Sequence, residues 1–481
     1  MKTLSIIIGS LLLIFSCSNS KSQKNNSEEK TPKYIFLFIG DGMGLVQAQA
    51  TDTYLRTTAQ DSLTLMYLPG KGYMTTHSAN SPITGSAASG TAISSGSKTN
   101  NGMLGMSPQN DTLHNLMETA HQHGFKTGIV TSVSLDHATP GAFYAHTNSR
   151  HNYHEIGTQL AQSNIDFCAG GGFLEPKQNN ANIYEIAKNN GYTLINSYNT
   201  ISTINSDSRY MLYDTLTAFP YAINKQHNNF TLQNTTQTAI DYLYTKNENH
   251  GFVLMVEGGK IDWACHQNDA ATTIHEVIDF NNAVKEAISF YNEHPNETLI
   301  IVTADHETGG MTLGNAVYPY ELHANYLSQQ HISYDMLEDT LQKIWKKNPD
   351  IRFSKLYKII NQFYSLDGKQ GISMTKDDIQ SLQDAYNFVI NKTTHITQKE
   401  ALERYNCSHI SAKPEDKIKA ISITINRIIA EKSGIGWTTY AHTASQVPVY
   451  SLGAGNKPFT DLIDNTDIAQ IISQHITQQQ K

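Results

Sequence analysis

Two short runs constrain this chain more than any other feature: Tyr34-Ile-Phe-Leu-Phe-Ile-Gly-Asp-Gly-Met-Gly44 and Leu299-Ile-Ile-Val-Thr-Ala-Asp-His306. Each is an apolar, β-branched stretch that stops at a carboxylate. Stretches of that composition form strands buried on both faces of a parallel sheet, and open α/β sheets gather ligands beyond the carboxyl ends of their strands. Asp41, Asp305 and His306 are therefore expected on the chemically active edge of a sheet. Carboxylate oxygen combined with imidazole nitrogen suits zinc and related divalent cations.

At 481 residues the chain has room for one large α/β domain with an insertion, or for two domains. Its 35 basic and 43 acidic residues leave a net charge of −8, which argues against a general binder of nucleic acid or of anionic membrane surfaces. An anionic substrate would need local attraction, as from cations that overcompensate their acidic ligands. Residues 1–17 run from Lys2 through an apolar stretch, Leu4 to Phe15, to Ser16-Cys17. That is a secretory leader, too short to span a bilayer, and it predicts an exported mature protein. The Ile14-Phe-Ser-Cys17 junction resembles a bacterial lipobox, which implies acylation of Cys17 and a periplasmic or outer-membrane-anchored protein. Ordinary cleavage nearby is the alternative. Residues 18–32 then read as a flexible tether. Cys168, Cys265 and Cys407 remain after processing, too few for a disulfide framework, and at most one pair is available.

From about Lys33 to Gly310 short apolar runs alternate with helical patterns, as a sheet wound with crossover helices requires. Asp111 to His123 reads as a helix with Gly124 ending it, followed by strands at 125–131, 252–256, 299–303 and, late in the chain, 446–452. Between 318 and 434 amphipathic segments at 335–346, 353–363, 377–389 and 415–431 predict a helical insertion placed as a cap or crown. The expected fold is α/β: a large, mostly parallel central sheet with helices on both faces, built from 33–317 and 435–481, interrupted by that insertion.

Three further motifs carry chemistry. Gly40-Asp-Gly-Met-Gly44 has the wrong spacing for a dinucleotide turn, and its aspartate would repel phosphate unless a metal intervenes. In Val256-Glu-Gly-Gly-Lys-Ile-Asp-Trp-Ala-Cys-His266, Asp262 and His266 lie four apart and share a face if a helix starts after the glycines, while Glu257 ends its own strand. In Asn80 to Ala92, Ser86 falls at the start of a helix of small side chains, where free amides and the helix dipole favour an anion. A serine there is otherwise an ordinary cap.

Together these blocks, with His137-Ala-Thr-Pro140, His146-Thr-Asn-Ser-Arg150 and Tyr440-Ala-His-Thr443, resemble the alkaline phosphatase family of metal-dependent phosphomonoesterases. The resemblance implies a first zinc on Asp262, His266 and His442, and a second on Asp41, Asp305 and His306 with Ser86 as its reactive ligand. It implies a third site from Asp41, His137, Thr139 and Glu257, for magnesium or a third zinc. Ser86 is the implied nucleophile, Arg150 the implied phosphate clamp, and a homodimer is implied as well. Relative to the best-known bacterial pattern, His137 replaces an aspartate, Trp263 replaces a lysine and adds an apolar wall for substrate, and Gly85 replaces an aspartate that holds the arginine. The physics agrees with those roles: two divalent ions about 4 Å apart grip the attacking and leaving oxygens of an in-line phosphoryl transfer. A planar guanidinium matches two non-bridging phosphate oxygens and favours dianionic monoesters. The expected activity is hydrolysis of phosphate monoesters at alkaline pH through a phosphoserine. The alternatives are a phosphodiesterase or sulfatase of the same fold, or a metal- and phosphate-binding protein without turnover. Ser86-Ala-Ala-Ser89 lacks the proline and arginine that follow a sulfatase nucleophile.

Overall fold

The structure, a computed structural model, describes residues 31–197, 208–224, 230–246, 250–368, 372–392 and 396–479. The leader, Cys17 and all but the last two tether residues lie outside the described residues. Ten strands form the main sheet: β1 Tyr34–Ile39, β2 Gly70–Thr75, β3 Lys126–Ser134, β4 Phe167–Gly171, β5 Tyr192–Ile195, β6 Arg209–Asp214, β7 Phe252–Glu257, β8 Thr298–Thr303, β9 Val447–Gly453 and β10 Leu462–Asp464. Their spatial order is β10-β2-β9-β8-β1-β7-β3-β4-β6-β5. Only β9 runs against the others. β1, β7 and β8 lie side by side at the centre, fully buried, because apolar side chains on both faces leave them no solvent-facing alternative. Their parallel register brings Ile39 level with Glu257 and Thr303, so Asp41, Glu257 and Asp305 emerge along one edge.

The helices that bear on the site are α1 Leu45–Thr58, α2 Ser86–Ser95, α3 Leu116–Gln122, α4 Lys260–Cys265, α5 Ala270–Glu293, α6 Tyr334–Lys347, α7 Phe353–Tyr364, α8 Lys376–Val389, α9 Lys419–Lys432 and α10 Asn465–Gln478. The helix expected over 111–123 is shorter, for a physical reason. Asn115 accepts from the amides of Met117 and Glu118 while the Glu118 carboxylate accepts from the Asn115 amide, a capping box that starts α3 at Leu116. Residues before it are engaged elsewhere, Thr112 in a bridge to Met106. Gly124 ends the helix with φ +79°. The strand expected at 125–131 continues to Ser134, and so delivers His137 to the active edge.

Residues 318–434 hold α6 to α9 and an apolar core of their own, including Leu337, Leu341, Trp345, Ile360, Tyr364, Leu382 and Ile425. That core meets the sheet domain sideways, through Ala50 and Tyr54 of α1 and Ala270, Ala271 and Ile274 of α5. Two short antiparallel ribbons stitch the chain together again around the insertion: Thr312–Leu313 pairs with Ile435–Gly436, and Glu307–Thr308 with His442–Thr443. The second ribbon sets Thr308 opposite His442 across more than a hundred intervening residues. Cys168, Cys265 and Cys407 are all free and buried. Among the described residues no helix is long and apolar enough to cross a membrane.

Candidate active site

Each functional side chain reaches the site from the end of an element. Asp41 follows β1 through a tight turn in which Gly42 has φ +73° and Gly44 has no room for a Cβ, the nearest atom being a Glu307 carbon at 2.3 Å. The Gly42 amide then donates to Asp305 Oδ1 at 3.2 Å, fastening one strand end to the other. Glu257 closes β7 and accepts from the Thr131 hydroxyl on β3. Helix α4 begins three residues later and turns Asp262 and His266 to one side, with His266 Nε2 3.3 Å from Asp262 Oδ2. The ribbon adds His442, whose Nε2 lies 3.2 Å from His266 Nε2 and 3.6 Å from Asp262 Oδ1.

The structure brings together the sequence-derived residues in three clusters: Asp262, His266 and His442; Asp41, Asp305 and His306; Asp41, His137 and Glu257. Within each, one ligand atom per residue lies within 4.8 Å of the others. Thr139 joins the third by donating to Asp41 Oδ2 at 3.3 Å. Ser86 opens α2, whose cap residue Gly85 supplies no side-chain hydrogen bond, and its Oγ lies 3.2 Å from His306 Nε2. Arg150 approaches His137, Nη2 to Nε2 3.3 Å, while its own amide is held by the Gly102 carbonyl. Trp263 meets the His137 ring edge-on with centroids 5.7 Å apart.

This donor set fits divalent cations on the evidence of its own unmet needs. Asp41 Oδ1, Glu257 Oε1, Asp305 Oδ2 and His137 Nδ1 are buried without a hydrogen-bond partner. Buried polar atoms are normally paired, and four in one place call for a ligand. The electrostatics agree. Burial and then the charges of Asp305, Asp262 and Glu257 push Asp41 well above the usual carboxylate range. Burial, with Asp305 nearby, lifts Glu257 to about 8, and burial followed by the Asp262 charge lifts Asp305 to about 7. Burial also raises Asp262, but His266, His442 and His306 more than offset this and hold it below the ordinary value. His137 is driven down to about 3 by burial and then by Arg150. Such a group of carboxylates resists full ionisation until positive charge arrives.

Several functional groups escaped the sequence reading. Thr308 donates to Asp262 Oδ1 at 2.6 Å and lies 3.2 Å from His306 Nδ1. One hydroxyl thus touches residues of two clusters. The Thr84 carbonyl takes His442 Nδ1 at 2.8 Å and the Tyr440 carbonyl takes His266 Nδ1 at 2.5 Å. All three histidines therefore present Nε2 inward, the tautomer that leaves a lone pair for a metal. Glu307 gathers Gln47, the amides of Gly310 and Met311 and the Thr443 hydroxyl, locking the ribbon beside His442. Thr308 and Glu307 directly follow the Asp305-His306 block, the one available signal; carbonyl partners carry none.

The fold and the site together define the class, a metal-dependent phosphoric monoester hydrolase on a mostly parallel sheet. The chain belongs to the alkaline phosphatase family, whose model matches residues 32–477. It is 31% identical over 464 residues to alkaline phosphatase 4 of Bacillus subtilis (strain 168), covering 94% of this chain and 90% of that protein. The solved structure of a cold-active alkaline phosphatase from a psychrophilic Shewanella species superposes with a TM-score of 0.75 at 26% identity, covering 92% of this chain and 99% of the other. The alkaline phosphatase of the Antarctic bacterium TAB5 superposes with a TM-score of 0.64 at 25% identity, over 93% and 99% of the two chains.

Proposed function

We infer that the protein hydrolyses phosphate monoesters through a phosphoserine on Ser86, assisted by divalent metal ions held in the three clusters. The observation that carries this reading is the position of Ser86: its Oγ sits at an uncapped helix N-terminus, 3.2 Å from His306 Nε2. In this reading zinc occupies the Asp262, His266, His442 cluster and the Asp41, Asp305, His306 cluster, the second shared with Ser86. Magnesium or a third zinc takes Asp41, His137, Thr139 and Glu257. When bound, these ions supply the positive charge that lowers the pKa of the serine hydroxyl and stabilises the attacking and leaving oxygens.

The residues themselves do the rest. The α2 amides and helix dipole favour negative charge at Ser86 Oγ as it forms its bond to phosphorus and the ester oxygen departs. Arg150, tethered at its backbone amide and steadied by His137, presents paired donors to two non-bridging oxygens. Water attacks phosphorus from the side vacated by the leaving group, the Oγ–P bond breaks, and two inversions give net retention. Trp263 forms a wall beside the clamp.

The leader supports export and Ile14-Phe-Ser-Cys17 supports a lipid anchor at Cys17. The insertion 318–434, with its own core against α1 and α5, is read as a cap subdomain, and a homodimer follows the family pattern. The deciding experiment is a monoester hydrolysis assay with metal analysis before and after chelation. Activity lost with the metals and regained with zinc and magnesium supports the reading, and activity that survives complete chelation refutes it.

A further inference from the structure

Phosphate is only half of a monoester, and the other half needs a place to go. β6 runs parallel to β4, so the loop leaving its C-terminal end, 215–221, lies along the same sheet edge as the catalytic residues. Between that loop and the first turns of α6 is a cavity of ≈ 450 to 600 Å³ in scale, measured at ≈ 550 Å³. This falls within the range of roughly 300–1,000 Å³ common to small-molecule sites. Its inner end is made by Lys260 and Trp263 of α4. On that helix Asp262 and His266 face the metal clusters, and Trp263 stands between this face and the one bearing Lys260. The Trp263 ring is 5.7 Å from that of His137, which is itself 3.3 Å from Arg150. The cavity thus begins about one side chain from the phosphate clamp.

Its lining is of two kinds. Leu216, 55% exposed, Pro220 and the indole of Trp263 are flat and apolar. Lys260 is already engaged, donating to the Phe219 carbonyl at 2.6 Å and lying over the Tyr221 ring, and Asp335 accepts from Ser333. Asp339 and Lys343, one turn apart on α6, line the cavity and make no hydrogen bond or ion pair among the described residues. A free acceptor and a free donor beside apolar walls match a planar heterocycle that carries both donors and acceptors. An alkyl chain lacks the polar edge, a sugar lacks the flat face, and a second phosphate would meet the Asp339 carboxylate.

We propose that this cavity receives the leaving group and selects nucleoside monophosphates over small alkyl phosphates, an inference that rests on the hydrolase reading above. The test compares kcat/KM for adenosine 5′-monophosphate and methyl phosphate on the metal-loaded protein, its Asp339→Ala variant and its Leu216→Asp variant. Loss of one hydrogen bond to a charged group lowers the ratio of the two constants about tenfold in Asp339→Ala. Leu216→Asp, which places a charge on the apolar wall, lowers it as well. A wild-type ratio near one, or a ratio that neither substitution moves, overturns the subsite and leaves the hydrolase intact. A wild-type protein that turns over neither ester overturns the hydrolase reading and the subsite with it.

Discussion

Removing the metals should make the protein lose stability as pH rises, and the structure sets the size of the loss. Glu257, ordinarily near 4.5, stands at about 8 in the metal-free fold because of burial and then the charge of Asp305. Above pH 4.5 the unfolded chain has released this proton while the native protein still holds it, so each added pH unit costs the native state about 1.4 kcal/mol until pH reaches about 8. Asp305, at about 7, acts in the same direction over a narrower range. His137, lowered to about 3, and His306 act oppositely, since the unfolded chain takes up protons there below its ordinary imidazole value of 6.5. The clean window is therefore pH 6.5 to 8. Across it Glu257 alone costs about 2 kcal/mol, which for a chain of this length lowers the unfolding midpoint by about 2 °C. Saturating metal ionises the cluster in both states and removes the slope. The assay is thermal or denaturant unfolding of stripped and metal-saturated protein at pH 6.5, 7, 7.5 and 8. The gap between them should widen by about 2 kcal/mol; a gap that stays constant or narrows would refute the electrostatic reasoning.

Other predictions concern single residues. Ser86→Ala should retain its metals, lose covalent phosphate incorporation and lose turnover by about 1,000-fold or more, as read by labelled phosphate and steady-state assays. Thr308→Val removes the hydroxyl that meets Asp262 and His306, so metal affinity should fall roughly 10- to 100-fold and recover in Thr308→Ser. Metal titration checks this, and undiminished affinity in the valine variant would count against it. Gly85 has φ −107° and only Asn101 Oδ1, at 4.0 Å, near an added Cβ. Gly85→Asp should therefore fold with little change in stability and slow phosphate release by steadying Arg150; transient kinetics with release no slower than in wild type would contradict that role.

The central strands were legible because burial on both faces demands an uninterrupted apolar run, and a carboxylate ending such a run is conspicuous in Asp41, Glu257 and Asp305. Asp262 and His266 were legible through helical spacing alone. What was not legible depends on pairings between distant segments. Thr308 acquires its role only when the ribbon sets it opposite His442 and α4 brings Asp262 within 2.6 Å of its hydroxyl. The Thr84 and Tyr440 carbonyls, which orient His442 and His266, have no side-chain signature at all. Helix α3 was overextended because apolar periodicity outweighed the capping box of Asn115-Leu-Met-Glu118, a local signal that was present. The cavity beside Trp263 needs the loop after β6 and a helix of the insertion more than a hundred residues later.

The account rests on cations converging beside Ser86, and element-specific anomalous diffraction from crystals grown with zinc and magnesium tests it most directly. Zinc peaks are predicted among Asp262, His266 and His442 and among Asp41, Asp305 and His306, with a third ion among Asp41, His137 and Glu257. Fully occupied zinc elsewhere, with these three clusters empty, would contradict it.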